Sequence, residues 1–417
     1  MTSLGLFASL LCLATLLGIV NARTLKLPDT IGILLYALCL SIFIRVLDTM
    51  MPQLDLHSLP SRIIALADLP GNLLNGALSF LLFAGALHVD VEQIARKKWQ
   101  VGALAIIGTI LSVGFLSGAM WLGGQLLHAN LPFLWCLLLG AIIAPTDPVS
   151  VIGMLRQLGL PASLRAVFAG ESLLNDGVAI VIFGLAMSVI SGQESHISFG
   201  LAAEYFALEA VGGALLGGLA GAVGAYCWRL ARRPQLQLLV SLSIATGAFS
   251  LAQALEMSGP IAVVVAGFCL AGRYAQKQLD TETRQMLLAF WDLIDEILNA
   301  LLFMLIGLTV FSILPQRHSA TLLLLGIPLS ILARAASVYL ATLPVYLSGA
   351  GRLRTLIILT WGGLRGGISL SLALSLPGGI MRETLTPICY GIVVFTILAQ
   401  GLTMAPVARR LYPETRR

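Results

Sequence analysis

The sequence predicts an all-α polytopic membrane protein, and three observations carry that reading. Only 11% of the 417 residues are charged while 58% are hydrophobic, and the mean hydropathy is +0.93. Soluble domains run near 25% charged, so a soluble chain of this size could not cover its surface. The apolar residues come in continuous runs near the ~20 residues that a spanning helix needs, without the alternating pattern of a membrane β-barrel. Basic residues also alternate in density from one link between runs to the next. Together these exclude a soluble enzyme, a nucleic-acid binder and a disordered scaffold, and they make the net charge of +5 a matter of membrane topology.

Thirteen apolar stretches are expected as spans, near 4–20, 30–47, 71–88, 100–127, 131–155, 164–190, 200–228, 236–256, 259–273, 286–312, 319–347, 353–376 and 385–408. No positive charge precedes the first, so it reads as a span and not as a cleaved signal, although Val20-Asn21-Ala22 loosely resembles a cleavage site. Arg96-Lys97-Lys98-Trp99 before the fourth reads as an interfacial anchor. The seventh is rich in small residues between Gly212 and Gly224, which predicts a close helix-packing face. The ninth is short. Polar links are brief, so the expectation is a single membrane domain with no soluble regulatory domain. Of the 25 Lys and Arg residues, nineteen fall in links after odd-numbered spans or in the C-terminal tail, four in links after even-numbered spans, and Arg334 and Arg365 lie inside spans. The asymmetry predicts an N-terminus outside and a C-terminus in the cytoplasm of a cell (inner) membrane. The six cysteines form no CxxC or Cys/His cluster, which argues against a disulfide framework or a transition-metal site.

A charge at mid-bilayer costs at least ~2.5–3.5 kcal/mol, so the few that occur are candidates for function. Asp147 lies in Ala144-Pro145-Thr146-Asp147-Pro148, inside span five. Two prolines remove backbone donors and break the helix. Unwound backbone at that depth can ligate a cation beside the carboxylate, or the same residues can form a proline kink with an Asp cap. Span six carries Gly170-Glu171-Ser172-Leu173-Leu174-Asn175-Asp176-Gly177. Ser172 and Asp176, like Glu171 and Asn175, are four apart and stack on adjoining faces. Hard oxygen ligands of this kind suit Na⁺, Li⁺ or H⁺; an interhelical hydrogen-bond cluster is the plainer alternative. Span twelve carries Gly362-Gly363-Leu364-Arg365-Gly366-Gly367, a second interrupted segment. If spans one to six (about 4–190) and eight to thirteen (about 236–408) are inverted repeats linked by the helix near 200–228, spans five and twelve correspond, and such paired interruptions point to a transporter's midplane site. A buried Arg365 requires a partner, expected to be Glu171 or an aspartate. Arg334 is expected to pair with Asp295 or Glu296 of span ten. The five histidines are expected in solvated span ends or links.

Taken together, Pro145-Thr146-Asp147-Pro148, Gly170-Glu171-Ser172 with Asn175-Asp176-Gly177, and Gly363-Leu364-Arg365-Gly366 resemble the NhaP-type monovalent cation/proton antiporters, relatives of the sodium/proton exchangers. The resemblance covers essentially the whole chain. It implies two inverted six-helix repeats with unwound helices crossing in a core, and a homodimer formed through the other bundle. It implies Asp176 as the central cation- and proton-binding carboxylate. Asp147, Thr146 and Ser172 would be further ligands, Asn175 would stand where electrogenic relatives carry a second aspartate, and Glu171 would pair with Arg365. One position departs from the pattern: Ala84 stands where relatives often carry Glu in span three.

The expected activity is therefore exchange of Na⁺ (or Li⁺) for H⁺ by alternating access, without enzyme chemistry or cofactor. Cation and proton would compete for one carboxylate, and Asn175 beside Asp176 implies electroneutral one-for-one exchange. K⁺ in place of Na⁺ is the alternative cargo; a cation channel or a non-transporting sensor fits the broken helices less well.

Overall fold

Prolines and capping side chains set about half of the helix starts. The computed structural model describes residues 3–51, 76–147, 155, 158–192, 199–310, 317–345 and 351–413, and no strand occurs among them. Helices α1 (Ser3–Arg23) and α2 (Asp29–Met50) are joined by a turn that Asn21 ties, donating to the Leu27 carbonyl at 2.8 Å and accepting from its N–H at 3.2 Å. After α3 (Leu78–His88), Asp90 caps the short α4 (Val91–Arg96) by accepting from the N–H groups of Glu92 and Gln93 at 3.1 Å. Then come α5 (Lys98–Leu126), α6 (Phe133–Ile143) behind Pro132, α7 (Ala162–Ile190) behind Pro161, and α8 (Ala203–Leu230). Pro234 opens α9 (Pro234–Ala254), where its missing N–H has no helical partner to lose. Ser258 caps α10 (Gly259–Ala271) and Asp280 caps α11 (Thr281–Thr309). The chain closes with α12 (Arg317–Ala341), α13 (Arg352–Trp361), α14 (Gly367–Leu374) and α15 (Ile380–Leu411).

Eight of these, α1, α2, α5, α7, α8, α9, α12 and α15, are long and apolar enough to cross a membrane, and α3, α6 and α10 are shorter apolar helices. The chain is thus a multi-pass membrane protein of helices. Residues 71–75 of the third expected span and most of the second half of the fifth, with Pro148, lie outside the described residues.

The helices form two packed groups. In one, α8 lies against α10, α10 against α3 and α9, and α11 against α2 and α3. In the other, α5 packs on α6 and α12, α6 on α7, and α12 on α15. The small-residue stretch of α8 faces inward as expected: a Cβ at Gly217 would overlap the backbone of Ala262, so only glycine lets α8 and α10 come this close. Leu215 and Leu219 on its other side are 71% and 64% exposed, the inverse of a soluble helix and what a lipid-facing surface requires. Trp291 of α11 anchors the first group, its ring centroid 4.8 Å from that of Phe83 and its Nε1 donating to Ser241 Oγ at 3.0 Å. His88 ends α3 and is exposed, as expected of a span-end histidine, with its Nε2 2.9 Å from Asp292 of α11. His57 and His196 lie outside the described residues.

Candidate functional site

Two helices are interrupted, and the interruptions touch. After Ile143 the chain leaves the helix through Ala144, Pro145, Thr146 and Asp147. After Trp361 it does so through Gly362, Gly363, Leu364, Arg365 and Gly366, and α14 resumes at Gly367. The backbone N–H of Asp147 donates to the carbonyl of Leu364 at 2.8 Å, so one backbone bond joins the two unwound segments where no helical partner remains. Gly366 lies against Asp147: a Cβ there would sit 2.9 Å from the Asp147 Cβ.

Helix α7 supplies the side chains beside this crossing. Thr146 Oγ1 shares a hydrogen bond with Ser172 Oγ at 2.9 Å and accepts from Asn175 Nδ2 at 2.7 Å. Asn175 Nδ2 also donates to Glu171 Oε1 at 3.2 Å, while Asn175 Oδ1 accepts from the Thr146 N–H at 3.5 Å. Five of the expected site residues, Thr146, Asp147, Ser172, Asn175 and Asp176, thus stand at one crossing, but in two layers. Thr146, Asp147 and Asp176 line a cavity of about 50 Å³, closed on the other side by leucines of α3 and by Asn299 and Leu302 of α11. Ser172 and Asn175 are not among the lining residues; they hold Thr146 from behind. Asp176 is 1% exposed and its Oδ1 has no hydrogen-bond partner among the described residues. An unpaired carboxylate oxygen at this depth is costly unless it takes up a proton or a cation.

The expected pairing of Glu171 with Arg365 is not what forms. Glu171 is held by Arg334 of α12, with Nη1 to Oε1 at 2.6 Å and Nη2 to Oε2 at 2.8 Å, both side chains almost fully buried. This two-pronged geometry is the one a guanidinium favours with a carboxylate. It also overturns the expected pairing of Arg334 with Asp295 or Glu296. Arg365 instead donates Nη1 to the carbonyls of Ala144 at 2.7 Å and Pro145 at 3.2 Å. The reason is local. In a continuous helix the Ala144 carbonyl would accept from residue 148, and Pro148 has no N–H. The proline pair leaves an orphaned acceptor at membrane depth, and Arg365, carried to it by the second break, supplies the donor.

Asn299 is the lining residue that sequence reasoning missed. A polar amide inside the apolar run from Ile297 to Thr309 was the available signal. Ala84, where a carboxylate was expected in relatives, is buried in α3 and is not among the cavity's lining residues.

A helical bundle with two interrupted helices crossing beside buried carboxylates is the architecture of a secondary transporter. The sequence matches the family described as sodium/hydrogen exchanger, transmembrane, over residues 11–410, and the chain belongs to that family. It is 38% identical to the Na⁺/H⁺ antiporter NhaP of Pseudomonas aeruginosa, over 98% of this chain and 97% of that one. It is 30% identical to the Na⁺/H⁺ antiporter NhaH of Halobacillus aidingensis, over 94% of this chain and 93% of that one. Its fold is similar to that of the sodium proton antiporter MjNhaP1 of Methanocaldococcus jannaschii, with a TM-score of 0.74 at 20% identity, covering 99% of both chains.

Proposed function

We propose that this protein exchanges Na⁺ or Li⁺ for H⁺ across the membrane, with Asp176 as the group for which cation and proton compete. The observation that carries this reading is the buried Asp176 Oδ1 without a partner, in a cavity it shares with Thr146 and Asp147. A cation entering the cavity would find two carboxylates and the oxygens of an unwound segment, the hard donor set that Na⁺ takes. A proton on Asp176 would replace it, so each ion would leave only when the other binds. Ser172 and Asn175 would keep Thr146 in place, one hydrogen bond behind the cavity wall. Asn175 in place of a second acid leaves one exchanging charge, which supports electroneutral turnover.

Movement of the group containing both breaks against the group containing α10 and α11 would expose the cavity to each side in turn. Inverted repeats over about 4–190 and 236–408, thirteen crossings, a homodimer, and an inner-membrane orientation with the C-terminus in the cytoplasm complete the proposal. The nineteen basic residues in the links after odd-numbered expected spans and in the C-terminal tail support the orientation.

The test is dissipation of an imposed pH gradient in proteoliposomes on addition of Na⁺, Li⁺ or K⁺. Cation-driven dissipation is expected from the wild type and none from Asp176→Asn, with the variant still eluting as a folded protein. Retained exchange in Asp176→Asn would remove that residue from the central role. A response to K⁺ alone would change the cargo, and acceleration by membrane voltage alone would end the electroneutral reading.

A further inference from the structure

The cavity has a wall that the sequence motifs do not describe. Its polar lining comes from the first break and α7, in Thr146, Asp147 and Asp176, with one exception from the opposite group, Asn299 of α11. Asn299 is 4% exposed. Its Nδ2 donates to the Asp295 carbonyl one turn earlier at 2.9 Å, and its Oδ1 makes no hydrogen bond to a described residue. The nitrogen is thus committed to the helix, and the oxygen is the end of the amide left for the cavity. Leu302, one turn further along, fills the space in front of Gly367, where no Cβ would fit, and so fixes α11 against the second break. Asn299 also lines a neighbouring cleft of about 290 Å³ that holds Asp29, Asp295 and Glu296. It therefore stands between the central carboxylates and an acidic opening.

We propose that Asn299 is a cation ligand, giving its amide oxygen from the wall facing the two breaks and passing the cation to the acidic cleft. This rests on the exchange reading above and adds a ligand to that site. An amide oxygen is a hard, neutral donor, suited to a monovalent ion that already has carboxylates on its other side. It fills the side of the cavity where α3 offers only leucines. A ligand on that wall also loses its cation when the two groups separate, which couples release to movement.

The experiment compares wild type with Asn299→Leu, which keeps the volume without the oxygen, and Asn299→Ser, which keeps a shorter oxygen. Two quantities are read for each: the Na⁺ concentration giving half-maximal dissipation of the pH gradient, and the rise in melting temperature on adding Na⁺ to purified protein at fixed ionic strength. The expected result is at least a tenfold higher half-maximal Na⁺ in Asn299→Leu, with the Na⁺-dependent melting shift lost and the Na⁺-free melting temperature kept. Asn299→Ser should lie between. Half-maximal Na⁺ and melting shift both at wild-type values in Asn299→Leu would overturn the proposal. A lower melting temperature with an unchanged Na⁺-dependent shift would also overturn it, since that marks a packing role. Should Asn299→Leu fail to fold, Asn299→Ser alone decides by the same two quantities. If the wild type drives no exchange yet Na⁺ raises its melting temperature, the exchange reading fails while the melting shift still decides Asn299.

Discussion

Arg334 and Arg365 are both buried to within a few per cent, both inside an apolar bundle, and they solve the same problem in different ways. Arg334 sits in the continuous helix α12 and takes a carboxylate, Glu171, in a two-pronged pair, with only a longer contact from Nη2 to the Leu359 carbonyl at 3.3 Å. Arg365 sits in a break and faces another break, and it takes the Ala144 carbonyl that Pro148 orphans together with the neighbouring Pro145 carbonyl. The choice of partner follows what the surrounding backbone lacks and not the charge alone. One arginine neutralises a buried acid, and the other replaces missing helix donors and holds the unwound segment that carries Thr146 and Asp147.

The comparison breaks most visibly if one member of the Arg334–Glu171 pair is removed. Arg334→Ala leaves Glu171 charged and buried, and Glu171→Ala does the same to Arg334. Each single change should cost roughly 3–5 kcal/mol, read as loss of folded protein on thermal unfolding in detergent. The double change Arg334→Met with Glu171→Leu should recover most of that loss, because an apolar pair strands no charge. If the double variant is as unstable as the sum of the singles, the pair is not acting as a unit.

Arg365→Ala should cost less, because its partners are neutral carbonyls. Hydrogen bonds to a charged group are worth about 1.5–3 kcal/mol. The larger effect should fall on transport, since the unwound segment loses its brace, and Arg365→Lys should restore part of it by offering one donor. Equal loss of stability in Arg334→Ala and Arg365→Ala would erase the distinction between the two arginines.

Which arginine took which partner was not legible in the sequence, and the reason is physical. Spacing along one helix places Ser172 with Asp176 and Glu171 with Asn175, because a helix has a fixed period. The doubled prolines and the glycines around Arg365 announce breaks, because they act on the backbone where they stand. Those local rules gave an all-helical membrane bundle with interruptions at 144–147 and 362–366; that five site residues share one crossing was implied by the family resemblance and not by any local rule. The partner of Arg334, by contrast, depends on which helices become neighbours, and the sequence offered Asp295 and Glu296 as nearer acids. Asn299 stayed hidden for the same reason. A lone amide in an apolar run gains meaning only when Asp147 and Asp176 are seen across the cavity. The layering of Ser172 and Asn175 behind Thr146 is likewise a tertiary fact.

Gly366→Ala tests how tightly the two breaks are held together. The added Cβ would lie 2.9 Å from the Asp147 Cβ, close enough to force a shift but small enough to be absorbed by loop backbone. The expected outcome is a several-fold loss of cation-driven gradient dissipation with little change in melting temperature. Unchanged transport would mean that the crossing can open without disturbing Asp147, and that the brace from Arg365 holds less than its geometry implies.

The smallest effect is expected where a charge holds backbone in water instead of in the bundle. Asp280, at the start of α11, accepts from the Thr283 N–H at 2.7 Å, and that bond holds its carboxyl below the ordinary value. A carboxylate with a depressed folded value adds stability above its unfolded value near 3.9 and loses it as pH falls through the folded value. Hydrogen exchange in the first turn of α11 should therefore be slow at neutral pH and quicken at the acid end. Asp280→Asn, which caps nearly as well without titrating, should remove that pH dependence and keep the neutral-pH protection. Arg365 makes the same kind of charge-to-backbone contact, but no water can replace it there. If Asp280→Ala unsettles α11 as much as Arg365→Ala unsettles the crossing, burial is not what separates the two contacts.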